Sequence, residues 1–175
     1  PASMMAILFG MASGGLFATT VRALFILIIG NWLFQVSYTI TSFWALFLVF
    51  ILTMVALYGL GMMLSSLFLL FNREAWHTAN LLQAPVMLFS GFYFPVKVFN
   101  FWIAAAASLI PLTLGMDAIR QLVFPSGALL GFLTVKVELI VLAVLSVVFL
   151  AGAYFTLRWM EKLAIRYGRI TDRLG

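Results

Sequence analysis

Charged residues are the scarcest class in this sequence. Of its 175 residues only 9% are Asp, Glu, Lys or Arg, whereas 65% are hydrophobic. A soluble domain carries roughly 25% charged residues, so this chain does not have enough of them to cover a water-facing surface. Lipid admits only spanning helices or closed barrels, and barrel strands alternate apolar and polar residues. The long unbroken apolar runs of this chain therefore predict an all-α integral membrane protein, a polytopic helical bundle.

Cysteine is absent and histidine occurs once, at His77. Without cysteine the chain has no thiolate nucleophile, no disulfide and no thiolate metal ligand. The neighbours of His77, Arg73 and Glu74, supply no nucleophile. We therefore predict no catalytic residue and no metal site.

The distribution of positive charge is typical of a membrane protein and does not indicate a nucleic-acid-binding protein. The net charge is +5, and five of the ten basic residues lie in the last 18 positions. A basic end on a membrane protein is typical of its cytoplasmic side. We expect no nucleic-acid partner, and we expect this amphipathic tail, about 158–175, to form a helix that contacts membrane lipid.

Four apolar segments predict four membrane spans, at about 4–29, 43–71, 80–96 and 138–157. The second has 29 uncharged residues, about 43 Å as a helix against a hydrocarbon core of about 30 Å, so it must tilt, bend or project. Small residues that favour close helix packing are Gly10, Gly14, Gly59 and Gly61. For Gly10 and Gly14 packing within the chain is preferred to a dimer seam, and Gly59 and Gly61 are candidates for a bend.

The piece 101–116 decides the topology. It has 16 residues with Pro111 inside it, and as a helix it would reach only about 24 Å. This length favours a re-entrant hairpin, about 97–125, over a fifth span. The positive-inside rule leaves both models open, because each places six basic residues on the inside.

Two stretches near this piece resemble the signature region of type-2 ABC transporter permeases. "SGFYFP" (90–95) is followed after a linker by "IPLTLGMDAIR" (110–120). The residues that match the family pattern in order and spacing are Ser90, Gly91, Pro95, Pro111, Asp117 and Arg120. The start, "PASMMAILFGM", resembles the family's entry into its third span, and "RWMEKLAIRYGRI" resembles its basic C-terminal extension.

The resemblance implies a permease of six spans with two re-entrant half-helices on the outer side. This chain, which begins at Pro1 without a methionine, would be a fragment that supplies spans three to six. The implied function is the membrane subunit of an ATP-driven exporter in the plasma (inner) membrane of a prokaryote, with the C-terminus cytoplasmic. The implied partners are a second permease copy and an ATP-binding cassette subunit that holds ATP and Mg. The substrate would be an amphipathic, lipid-like, drug or lipid-linked glycan molecule.

Seven residues are candidates for the substrate path or its gate: Arg22, Gln83, Ser90, Tyr93, Asp117, Arg120 and Glu138. Arg22 interrupts an apolar run, so we expect it to meet a partner or water. It either lines the path and attracts an anionic head group or, preferably, snorkels or pairs with another helix. Asp117 and Arg120 share a helix face, as a salt bridge that latches the hairpin or as a solvated pair. Glu138 either points inward or, preferably, marks the outer boundary with Lys136.

The sequence leaves two rival functions open. An ion-coupled secondary transporter would use Arg22 and Glu138, although no repeated half or pair of broken helices supports it. A non-transporting membrane scaffold would show no substrate dependence. The chain has no G-x-x-x-x-G-K-[ST] loop, so an ATP-driven function requires that ATP be bound by another subunit.

Overall fold

The fold is known from a computed structural model that describes residues 4–35, 38–68, 83–124, 126–127 and 131–166. Within these ranges every regular element is a helix, which confirms the predicted all-α class. The helices are α1 (Met4–Phe34), α2 (Phe43–Phe68), α3 (Phe101–Ala107), α4 (Pro111–Val123) and α5 (Val135–Arg166). A further helical stretch covers 83–89, and a short 3-10 turn covers Val96–Val98.

Three helices contain stretches long and apolar enough to cross a membrane. They are Ser13–Phe34 in α1, Phe43–Ser66 in α2 and Val135–Met160 in α5. The predicted span at 80–96 lies partly outside the described residues. Its described part is helical over 83–89 and then turns at 90–95. Together these helices confirm a multi-pass helical membrane protein.

Two helices differ in length from the sequence prediction. The first span was expected to end near residue 29, but α1 continues to Phe34. The last span was expected to end at 157, with a separate tail helix after it, but α5 runs unbroken from Val135 to Arg166. No proline or glycine follows Gly152 within α5, so nothing in its sequence ends the helix where the apolar stretch ends. The rest of the predicted tail, including Gly168, lies outside the described residues.

Helices α2 and α5 pack against each other and run parallel. The Ser146 hydroxyl donates to the carbonyl of Leu52 at 3.0 Å, and Gly59 lies against the backbone of Phe149. Because successive contacts advance in the same direction along both helices, both begin at the same end of the bundle. The intervening chain must then cross the membrane an odd number of times. One crossing near 80–96 with a hairpin that does not cross meets this condition, and so does a hairpin that crosses as a broken span without a crossing near 80–96. The two crossings of the five-span alternative do not meet it.

The apolar core lies where α4 meets α2 and α5. Leu114, Ala118 and Leu122, spaced four residues apart on α4, are almost fully buried against Val49 of α2 and Leu142 of α5. Side chains at this spacing form one helix face. The loop before α2 is tied to the same place, because the Thr39 and Thr41 amides donate to the last carbonyls of α4. Helix α4 is thereby fixed at the end where α2 and α5 begin.

Candidate functional site at the helical hairpin

Helices α3 and α4, residues 101–123, form a sharply bent pair that we call the hairpin. The two helices are bent by 105° at the break between them. Pro111 occupies the start of α4 after an extended Ile110, a position where its missing N–H costs nothing. Pro125 follows Phe124 in the sequence, and a residue before proline disfavours helix. Helix α4 therefore has 13 residues, about 20 Å, which is too short to cross a membrane.

A polar side of α4 faces the beginning of α5. Asp117 is only 2% exposed, and its Oδ2 accepts a hydrogen bond of 2.7 Å from the backbone amide of Phe132. Phe132 lies in the segment that leads into α5. A carboxylate held by a backbone amide forms a charge-assisted hydrogen bond, which is stronger than a neutral one. Asp117 thus attaches α4 to the chain just before the last span.

Gln121 connects α4 to α5 itself. Its Nε2 donates to the Leu133 carbonyl at 2.7 Å and lies 3.2 and 3.3 Å from the two carboxylate oxygens of Glu138. Glu138, in the first turn of α5, is 0% exposed. The same Nε2 is 3.5 Å from Asp117 Oδ2. Arg120 Nη1 lies 4.0 Å from Asp117 Oδ1. The buried Asp117 and Glu138 and the half-buried Arg120 and Gln121 therefore form one group, here called the polar cluster.

Arg120 connects α4 to the turn after 83–89. Its Nη2 donates to the Gly91 carbonyl at 2.8 Å. Gly91 has a φ of +77°, a conformation that glycine adopts without the steric cost of a Cβ. The Thr113 hydroxyl donates to the Phe89 carbonyl at 3.4 Å. Helix α4 is accordingly held on two sides, by α5 and by this turn.

Asp117 and Arg120 are close but do not form a tight ion pair. Asp117 Oδ1 and Arg120 Nη1 lie 4.0 Å apart. Both atoms are buried, and neither has a hydrogen-bond partner in the described part of the chain. Asp117 Oδ2 and Arg120 Nη2 bind backbone groups instead. The solvated-pair interpretation is wrong for Asp117, and a role as a gate latch stays a prediction.

The remaining candidate residues are distributed over the molecule. The preferred interpretation of Glu138 as a boundary marker is wrong, because Glu138 is buried whereas Lys136 is exposed. Ser90 is buried and donates to the Met87 carbonyl. Gln83, Tyr93 and Arg22 are exposed and lie outside the polar cluster. Their predicted place on a substrate path stays a prediction.

The four glycines predicted to pack helices fall into two groups. A Cβ on Gly59 would lie 3.0 Å from the backbone of α5, so this glycine permits the close contact of α2 and α5. At Gly10, Gly14 and Gly61 a Cβ would meet nothing within 4 Å. Their packing role stays a prediction, and any partner helix would have to come from outside the described residues.

Sequence reasoning missed Gln121 and Thr53. Gln121 follows Asp117 by four residues on α4, so the helix-face rule that paired Asp117 with Arg120 also points to it. Thr53 of α2 lies directly against Gly115 of α4, and no local pattern marks that contact. The Phe132 amide and the Leu133 carbonyl carry no side-chain signal at all.

The arrangement can hold helices together, and it offers no nucleophile beside a general base. Among the described residues no group of three or more His, Cys, Asp or Glu side chains is placed to hold a metal ion. What the polar cluster does is connect three parts of the fold that are far apart in sequence: the turn at 91, α4 and α5.

Comparison with known proteins gives one match. The model of the ABC-2 type transporter family matches residues 1–124, which include α1, α2 and the whole hairpin. No curated protein and no solved structure shows a significant match.

Proposed function

Because this chain belongs to the ABC-2 type transporter family, we propose that it acts as the permease of an ATP-driven exporter that moves an amphipathic substrate out of the cell. The family match over 1–124 is the observation that carries the proposal. Members of this family are the membrane components of ABC transporters, and they associate with an ATP-binding subunit.

The energy for transport would come from that partner. The sequence contains no phosphate-binding loop of the G-x-x-x-x-G-K-[ST] type. ATP and Mg would therefore be bound by the ATP-binding subunits, and a second permease copy would complete the pathway. Closure of the ATP-binding subunits would move the membrane helices between two arrangements, which must differ in their affinity for substrate if transport is to follow.

The charge distribution supports an orientation in which the hairpin is outside. The hairpin lies at the end where α5 begins, and three basic residues, Arg158, Lys162 and Arg166, lie near the opposite end of α5. Under the positive-inside rule that basic end is cytoplasmic. The chain would thus sit in a prokaryotic plasma membrane with the hairpin over the exit of the pathway.

The polar cluster supports a role for the hairpin as an outer gate. Asp117 and Gln121 join α4 to the start of α5, and Arg120 joins it to the turn at Gly91. Each buried hydrogen bond that loses a partner costs about 1–3 kcal/mol, so α4 would move together with α5 and with the turn. Motion of these spans would then open or close the exit without unfolding the hairpin.

The ion-coupled alternative predicts transport driven by a proton or sodium gradient without ATP. Arg22 and Glu138, which that alternative relies on, share no hydrogen bond or ion pair in the described ranges, and they lie on helices α1 and α5. No feature of the described fold favours it over the exporter.

The test is to purify the full-length protein from its own cells in mild detergent and identify what accompanies it. We expect a stoichiometric ATP-binding subunit, ATPase activity in the complex and outward transport that stops when ATP is depleted. A protein that purifies alone would contradict the proposal. Transport that persists after ATP depletion with the ion gradient intact would establish the secondary transporter instead.

A further inference from the structure

Arg22 is a charged side chain near the middle of a membrane-spanning stretch. It belongs to the Ser13–Phe34 part of α1, and its side chain is exposed. It forms no ion pair or hydrogen bond in the part of the chain that the structure describes. A cation at this depth is unfavourable unless an anion or water meets it. The position therefore calls for a counter-charge that the described residues do not supply.

The helical period places Arg22 on the side of α1 that faces α2. At about 100° per residue, Met11, Gly15 and Arg22 fall within about 40° of one another around the helix axis. A Cβ on Gly15 would touch the hydroxyl of Tyr58 in α2, so the side of α1 that carries Gly15 faces α2. Arg22 lies about 10 Å further along the axis, at 1.5 Å per residue.

An apolar groove of about 560 Å³ lies between the same two helices. Met11 of α1 lines it together with residues of α2 that include Met54, Tyr58, Gly61 and Met62. It is an open groove on the surface of the two helices and not an enclosed cavity. Methionine side chains are flexible and adapt to apolar ligands of varied shape. The groove therefore suits a flexible hydrocarbon chain.

Arg22 does not line the groove itself, but the register of the two helices places it near the end of the groove that carries Met54. Gly15 meets Tyr58, and only residues 35–42 join α1 to α2, a short connection that is typical of antiparallel neighbours, so residue numbers fall along α2 as they rise along α1. On this antiparallel register Met54 lies about one helical turn from the level of Arg22. The apolar groove and Arg22, which is unpaired among the described residues, therefore follow one another along the interface between α1 and α2.

We propose that the groove and Arg22 together form a binding site for an anionic amphiphile. Its hydrocarbon chain would lie among Met11, Met54 and Met62, and its anionic head group would bind the Arg22 guanidinium. Charge complementarity selects an anionic molecule over a neutral one of equal length, because only the anion supplies the missing counter-charge. The inference rests on the proposed function, since it names the substrate class of the exporter.

The experiment uses the full transporter complex in nanodiscs of neutral phosphatidylcholine, without ATP. The probe is hexadecyl phosphate with a diazirine in its chain, and the neutral comparison is hexadecanol with the same diazirine. After irradiation, labelled peptides are identified by mass spectrometry. We expect the phosphate to label the groove peptides at concentrations at least tenfold lower than the alcohol.

Two variants distinguish the contribution of the anionic head group to binding from that of the hydrocarbon chain. Arg22→Gln is expected to remove the tenfold preference for the phosphate and to leave labelling by the alcohol unchanged. Gly61→Phe is expected to lower labelling by both probes at least fivefold, because a side chain there projects into the groove. A Cβ at Gly61 meets nothing within 4 Å, so a side chain can start there without a backbone clash, and thermal unfolding of this variant checks that the fold is retained. The matched controls, Lys136→Gln and Val147→Phe, change an exposed cation and an exposed apolar residue elsewhere and are expected to change neither result.

Two outcomes would overturn the inference. Equal labelling by phosphate and alcohol in the unaltered protein would show a lipid-facing groove without selectivity for charge. A groove that stays unlabelled while Gly61→Cys crosslinks to a second copy or another subunit would show that a helix covers it. Either result leaves the proposed function intact if the same preparation contains the ATP-binding subunit and hydrolyses ATP. Absence of that subunit defeats the proposed function whatever the labelling shows.

Discussion

Asp117 and Glu138 are two carboxyl groups buried in a largely apolar bundle. Ionisable groups inside a membrane protein are rare because burial is costly unless hydrogen bonds satisfy them. Here the Phe132 amide and the Gln121 side chain supply those bonds. Removal of one of these hydrogen bonds is therefore expected to lower the free energy of unfolding by a measurable amount.

Replacement of Asp117 tests the bond to the Phe132 amide. Asp117→Ala removes the acceptor and is expected to lower the free energy of unfolding by about 1–3 kcal/mol. Asp117→Asn retains a side-chain oxygen for the amide and is expected to cost less. Thermal unfolding of the full complex in detergent measures both, with the exposed Lys136→Ala as control. Equal losses for the alanine and asparagine variants would show that this hydrogen bond is not what stabilises the site.

For the individual residues of the polar cluster, the sequence identified the charged members but not their burial. Asp117 and Arg120 stand out because they match the family pattern and share a helix face, and Glu138 stands out because it lies at the entry to the last span. Glu138 was placed at the boundary because Lys136 lies two residues away, and Lys136 is indeed exposed. The burial of Glu138 depends on the docking of α4, a contact between distant parts of the chain that no local pattern encodes.

Among the elements, the break in the hairpin was predictable from the sequence. The shortness of 101–116 and the proline inside it predict a re-entrant turn, and α3 and α4 are bent by 105°, as in a re-entrant turn or a broken span. The length of α5 was predicted less well, because hydrophobicity marks the end of an apolar stretch and not the end of a helix. The contact between Gly115 of α4 and Thr53 of α2 was not predictable from the sequence, because it depends on the absence of a side chain at Gly115.

A pair of substitutions tests how α4 sits on α2. A Cβ on Gly115 would overlap the side chain of Thr53, so Gly115→Ala is expected to displace α4 and to lower stability by about 1–3 kcal/mol. Thr53→Ala removes the hydroxyl and the methyl group in conflict, so the double variant is expected to recover part of the loss. The thermal unfolding of both single variants and the double variant of the full complex gives the coupling energy. Additive losses would mean that the two residues do not meet.

Cysteine accessibility tests the side of the membrane on which the hairpin lies. Asn100 and Ser126 flank the hairpin and are exposed, and the sequence contains no cysteine to interfere. Asn100→Cys and Ser126→Cys are each expected to react with a membrane-impermeant thiol reagent added outside intact cells. The control is the same reaction after permeabilisation, which reports total accessible thiol. Labelling of Asn100→Cys only after permeabilisation would contradict the four-span topology.

The whole molecule divides into a packed unit and a helix beside it. Helices α2, α4 and α5 share the core around Val49, Leu114 and Leu142. The membrane-spanning stretch of α1 has none of its residues buried. The sequence indicated a helical membrane bundle from composition and a family from two short stretches, but it did not show which helices pack together. Which helices pack together depends on the fit between their side chains. Hydrophobicity does not reveal this fit, because α2 and α5 are about equally hydrophobic.

The long sequence separation inside the packed unit has a consequence for synthesis of the protein. Leu52 and Ser146, which hydrogen-bond across the α2–α5 contact, are 94 residues apart. At translation rates of about 5–20 residues per second, α2 emerges about 5 to 19 s before its partner. During that interval the face of α2 that carries Gly59 and later meets α5 must be shielded by lipid or by the insertion machinery. Nascent chains that stop short of α5 would keep this face without its partner helix.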